Sequence, residues 1–160
     1  MHILENANWA PTHRKTEPWR FKVLRGDALK RLGEFLAGDY KTKTPEEMFS
    51  EMKYKKMLNK PTQCSCVIAI YMFRDPDGRL PEWEEMAAVS AAVQNMWLTC
   101  TSMGIAAYWS TPSAFINAED FIQVHPAERC MGLFYMGRWD IQELPAKRGA
   151  VEHKVTWVTE

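Results

Sequence analysis

The 160-residue sequence has no unbroken apolar run near the ~20 residues that a membrane helix needs. Its first residues, Met1-His2-Ile3-Leu4-Glu5-Asn6, hold no basic stretch followed by an apolar one, so no secretory leader is read there. Net charge is missing too: Lys plus Arg is 20 and Asp plus Glu is 20. Bulk charge therefore asks for no nucleic-acid or acidic-lipid partner. Cysteine is scarce. Cys64, Cys66, Cys100 and Cys130 have no spacing of a disulfide framework, and a chain of this length needs none. A reducing cytoplasm is the expected compartment. Nucleophile and phosphate-loop signatures are absent: no G-x-S-x-G, no P-loop and no G-x-G-x-x-G. Metal ligands are poor. Cys64-x-Cys66 is a single pair inside an apolar run, and His2, His13, His125 and His153 are scattered, so no metal is expected.

What is present is an ordinary globular composition, 46% hydrophobic and 25% charged, long enough to bury a core. One soluble domain over residues 1–160 is expected. Residues 2–9 read as the last turns of a helix, stopped by Pro11. Residues 19–24 alternate like a strand. Asp27 is placed to cap a helix through Phe35, with Leu29, Leu32 and Leu36 on one face. Thr44, Pro45 and Glu47 predict a second helix start within residues 39–60, a segment ended by Pro61. Residues 64–73 are nearly all apolar and predict a central strand buried on both faces. Arg74 precedes the turn Asp75-Pro76-Asp77-Gly78 and is read as a turn charge. The strongest helix covers residues 82–103, before Gly104. Residues 105–109 and 130–136 read as strands, with Asn117 as a helix cap between them. Residues 155–158 form a last strand with no partner nearby in sequence. The sum is an α+β domain, helices around a central sheet, whose strand order stays open.

One segment stands apart. Trp9-Ala10-Pro11-Thr12-His13-Arg14-Lys15-Thr16-Glu17-Pro18-Trp19 packs basic, hydroxyl and aromatic groups into a proline-bounded loop. Such a loop can aim backbone N–H groups, an imidazole and a guanidinium at a flat anionic ligand. Seven tryptophans and ten methionines suit a flat-ring site, although by themselves they favour an ordinary core.

This loop resembles that of the nitroreductase family, in the branch written A-P-x-H-K-x-x-Q-P-W. Ala10, Pro11, His13, Arg14, Pro18, Trp19, Arg20 and Phe21 carry the likeness, and Glu17 stands where the family usually has Gln. Four further stretches follow in family order. Glu84 to Val89 with Val93-Gln94-Asn95-Met96 resembles the central helix. Met103-Gly104-Ile105-Ala106-Ala107-Tyr108-Trp109-Ser110-Thr111 resembles the G-x-G-x-x-W-x-S/T strand. Gly132 to Gly137 resembles the late G-x-x-x-x-G strand. Lys147-Arg148 with Val155-Thr156-Trp157 resembles the basic tail and terminal strand.

The resemblance implies a central mixed or antiparallel sheet surrounded by helices. It implies a homodimer with FMN at the subunit interface and the terminal strand exchanged. Pro11, Thr12, His13 and Arg14 would line the flavin, and Trp109, Ser110 and Thr111 would meet it from the far side. Lys147 and Arg148 would approach its phosphate. Trp9 and the helices of residues 40–60 would border the open face, where NAD(P)H and a small acceptor such as a nitroaromatic or quinone alternate in ping-pong order. Hydride would pass through flavin N5, with no dedicated catalytic side chain. The family's leading helix and Arg-rich arm, which grip the phosphate, have no counterpart in the residues before Trp9. Weaker FMN binding is therefore expected, and a flavin-free binding protein on the same fold is the alternative.

Overall fold

The computed structural model describes residues 1–118, 120–138 and 147–159. Among these residues four strands form one sheet: β1 (Trp19–Leu24), β2 (Cys66–Phe73), β3 (Ala106–Ser110) and β4 (Glu128–Gly137). Their order is β1-β2-β4-β3, and every pairing is antiparallel. β2 is central, as its apolar run predicts, because six of its eight residues are buried. A strand covered on both faces has no position at which a polar side chain could meet water.

The helices divide between the two faces. α1 (His2–Asn8) and α4 (Glu82–Ser102) cover one, where Val89, Val93, Met96 and Cys100 pack on Ile68, Ile70, Met72 and Phe134. Burying each such side chain contributes about 1.5–3 kcal/mol. α2 (Asp27–Lys43) and the short α5 (Ser113–Ile116) cover the other. There Leu29, Leu32, Leu36 and Phe115 meet Val67, Ala69, Tyr71, Leu133 and Tyr135. Cys64 packs on the α2 side and Cys66 on the α4 side, so the two thiols do not converge. α3 (Glu51–Asn59) lies on α2 at a close approach. A Cβ on Gly33 would stand 2.0 Å from the carbonyl oxygen of Leu58, so only glycine fits that crossing.

Several boundaries differ from expectation. α2 runs eight residues past Phe35, to Lys43. Asp39 and Lys43 form an i,i+4 ion pair at 2.6 Å that supports the added turns. It ends at Thr44, which takes an extended backbone before Pro45, so Thr44 closes one helix rather than opening the next. The cap of α3 is Ser50, whose hydroxyl accepts from the backbone N–H of Lys53 at 3.4 Å. Asn117 follows α5 as its C-cap and starts no helix among the described residues.

Arg74 is more than a turn charge. It pairs with Glu85, a carboxylate only 1% exposed inside α4 that also accepts the Asp75 N–H at 2.8 Å. Asp75 in turn takes Arg79 through Nε at 2.8 Å and Nη2 at 2.7 Å. These bonds hold the Asp75 carboxyl down at about 2. Residues 155–159 form no strand with any described part of the chain, and Trp157 is 85% exposed. No described helix is long and apolar enough to cross a membrane.

Candidate functional site

The loop of residues 9–19 is tied at both ends and strained in the middle. Trp19 Nε1 donates to Asn8 Oδ1 at 3.0 Å, and Ala10 and Trp19 are buried beneath it. Within the loop, Thr12 Oγ1 accepts the Glu17 N–H at 3.2 Å and lies 3.2 Å from Thr16 Oγ1. Arg14, Lys15 and Glu17 adopt positive φ of 53°, 56° and 45°. Left-handed backbone at three non-glycine residues costs free energy and is held only where the surroundings impose it. Part of that hold is His13, whose Nδ1 sits 2.7 Å from Glu84 Oε2 at the start of α4. Sequence reading placed Glu84 in a helix motif and missed this tie, because 71 residues separate the partners. Pro11, Arg14 and Lys15 are exposed, and neither cation meets a carboxylate among the described residues. Trp9 beside them is 78% exposed.

The second predicted segment follows the far edge of the sheet. Trp109 Nε1 donates to the Met131 carbonyl at 2.8 Å. Met131 is free for this because the β2–β4 register jumps there: Ile70 faces Gly132 and Tyr71 faces Cys130. Gly132 has φ +116°, and a Cβ would stand 2.5 Å from the Ser110 carbonyl oxygen and 2.9 Å from Trp109 Nε1. Gly132→Ala is therefore expected to cost about 2–4 kcal/mol, measured as a loss of thermal stability, and to displace Trp109 and Ser110. An unchanged melting curve would show that the bulge tolerates a side chain. The Trp109 indole is committed to β4, whereas Ser110 opens onto a cavity of about 350 Å³. That cavity also holds Tyr40, Lys53, Lys60 and Tyr135. Sequence reading gave these no individual role. The available signal was spacing: residues 53 and 60 are seven apart, which places them on one face of a continuous helix.

A single chain does not unite the two segments. The loop enters β1 and Trp109–Thr111 leaves β3, and β2 and β4 lie between those strands. At about 4.8 Å per strand step, the edges stand roughly 14 Å apart. Lys147 and Arg148 are exposed, and neither bonds to either segment among the described residues; Arg148 Nη1 donates to the Lys147 carbonyl at 3.2 Å.

Residues 1–138 match the model of the nitroreductase family. The chain belongs to the nitroreductase family. A Bacillus subtilis member, "Putative NAD(P)H nitroreductase YfhC", is 26% identical over 121 residues, 74% of this chain and 60% of that protein. Escherichia coli "Putative NAD(P)H nitroreductase YdjA" is 20% identical over 85% of this chain and 73% of its own. This chain thus spans less than two thirds of the Bacillus subtilis relative. Among solved structures, a nitroreductase-like family protein from Bacillus cereus superposes with a TM-score of 0.74 at 24% identity, over 98% of this chain and 82% of that one. The FMN-dependent nitroreductase NfnB from Mycobacterium smegmatis, in complex with NADPH, gives 0.77 at 14% identity, over 99% and 86%. At such identities the superpositions establish the nitroreductase-like fold, and they agree with the α+β reading.

Proposed function

We propose that the chain is an FMN-dependent oxidoreductase that draws reducing equivalents from NAD(P)H and passes them to a small acceptor, a nitroaromatic or a quinone. The carrying observation is the loop of residues 9–19, strained, anchored through His13 and presenting the exposed guanidinium of Arg14, which meets no carboxylate among the described residues. Its donor set fits FMN. Exposed cations suit a phosphate, and hydroxyls with backbone N–H groups suit the polar edge of a flavin. Exposed Trp9 offers a flat apolar face for a nicotinamide or acceptor. The names of the relatives and of the FMN-dependent structural neighbour point the same way.

Pro11, Thr12, His13 and Arg14 would hold one side of the flavin, and Trp109, Ser110 and Thr111 the other. Two copies of the chain would bring those segments together, since each copy keeps its own pair apart. The outward face of α4, with Trp83, Met86, Trp97 and Leu98 exposed, supports such self-association, as does the 155–159 tail, which pairs with no described strand. Lys147 and Arg148 would then reach the phosphate. Bound FMN would supply the two-electron chemistry, with the two substrates taking turns on one face. The chain's own part is to bind, to orient, and to place a cation where negative charge develops.

A visible absorption spectrum of the purified protein, taken after adding FMN and removing the excess, tests this. Flavin bands that bleach anaerobically with NADPH or NADH are expected. A colourless protein would leave the family's fold without its cofactor, as the alternative of a flavin-free binding protein requires.

A further inference from the structure

Three lysines edge the cavity between α2, α3 and the segment after β3, and they are not equivalent. Lys43 is committed to Asp39 at 2.6 Å. Lys53 and Lys60 meet aromatic rings instead. Lys53 Nζ lies 4.7 Å from the centroid of Tyr40. Lys60 Nζ lies 4.8 Å from that of Tyr108 and 4.5 Å from that of Tyr135. The last two rings stack at 5.0 Å with only 5° between their planes. An aromatic face attracts an ammonium without consuming its N–H donors. Among the described residues neither amine pairs with a carboxylate or donates a hydrogen bond to one. Burial lowers the pKa of Lys60, only partly opposed by the Cys64 thiol, which fits the geometry of an ammonium held partly out of water. Leu36, Met57, Pro112 and the ring of Tyr135 form an apolar side of the wall, and its polar members are Thr44, Ser110, Ser113 and Asp39, the last neutralised by Lys43. At about 350 Å³ the space lies in the range of small-molecule sites.

Two amines with spare donors beside an apolar floor select a ligand with one charged end and one flat end. We propose that this cavity binds a small aromatic carboxylate, with Lys53 and Lys60 on the carboxylate and Leu36, Met57 and Tyr135 against the ring. That such a molecule is the chain's electron acceptor rests on the oxidoreductase reading above, because Ser110 is the link between this cavity and the proposed flavin site. The binding itself does not rest on it.

The test titrates 4-nitrobenzoate and the neutral, nearly isosteric 4-nitrobenzamide into flavin-free protein and follows both by calorimetry at low ionic strength. The carboxylate is expected to bind about tenfold more tightly, the worth of one charge-assisted contact. The preference is expected to vanish in Lys53→Met and Lys60→Met, to survive in Lys60→Arg, and to be unchanged in Lys41→Met, an exposed α2 lysine outside the cavity. Equal binding of the two probes overturns the proposal, as does a preference that survives both methionine variants. FMN and riboflavin retention provide the second arm. If the methionine variants loosen FMN but not riboflavin, the two lysines serve a phosphate, and the proposal is wrong. A protein that keeps no flavin but still prefers 4-nitrobenzoate removes the oxidoreductase reading and leaves this site standing.

Discussion

Replacing Glu85 with alanine is expected to destabilise the fold by about 3–5 kcal/mol. Its carboxylate is buried in α4, pairs with the Arg74 guanidinium and accepts the Asp75 N–H at 2.8 Å. Alanine would leave a partly buried cation and an orphaned backbone donor at once. Typical domains have only about 5–15 kcal/mol in total, so the variant is expected to sit near its unfolding transition at room temperature. Urea denaturation measures it, read as a fall in the midpoint with an unchanged slope. Glu85→Gln, which can still accept from Asp75 but carries no charge, should lose less. A loss below about 1 kcal/mol in the alanine variant would mean that water already screens the pair.

The second large effect concerns Arg14. Arg14→Ala is expected to weaken FMN retention by about tenfold, because it removes one charge-assisted contact. Arg14 has φ 53°, a left-handed backbone whose cost alanine shares with arginine. Arg14→Asn checks that loop distortion is not the cause, since asparagine tolerates this conformation and carries no charge. Both variants should lose flavin alike if charge is the cause. The control is Arg31→Ala, an exposed position of α2 remote from the loop in sequence. Arg74 cannot serve, because its pairing with Glu85 makes it structural. Equal flavin loss in the Arg14 and Arg31 variants would sink the assignment of the loop.

Much of the architecture was legible in the sequence where one physical signal dominated. The length and β-branched residues of the apolar run ending at Phe73 favour a strand covered on both faces, and β2 is that strand. The pattern of Val89, Val93, Met96 and Cys100 specified α4 almost to its ends. Reading failed where two local signals competed. Thr44-Pro45 resembles a helix start, but the backbone restriction before proline serves equally well to end a helix, and α2 arrived there first. Arg74 looked like a turn charge because nothing in its neighbourhood reveals a carboxylate eleven residues on, inside a helix.

For the candidate site the division is sharper. By itself the sequence determined the family, the existence of the proline-bounded loop of residues 9–19, and the chemistry of its side chains, because residue types and short spacings are local properties. Only the tertiary structure decided three things. Glu84 anchors His13. The loop and Trp109–Thr111 stand at opposite edges of one sheet. Lys53 and Lys60 line one cavity with Ser110, and neither pairs with a carboxylate among the described residues. Each depends on which elements pack together, and that is set by the burial of apolar faces across the whole chain rather than by any segment alone.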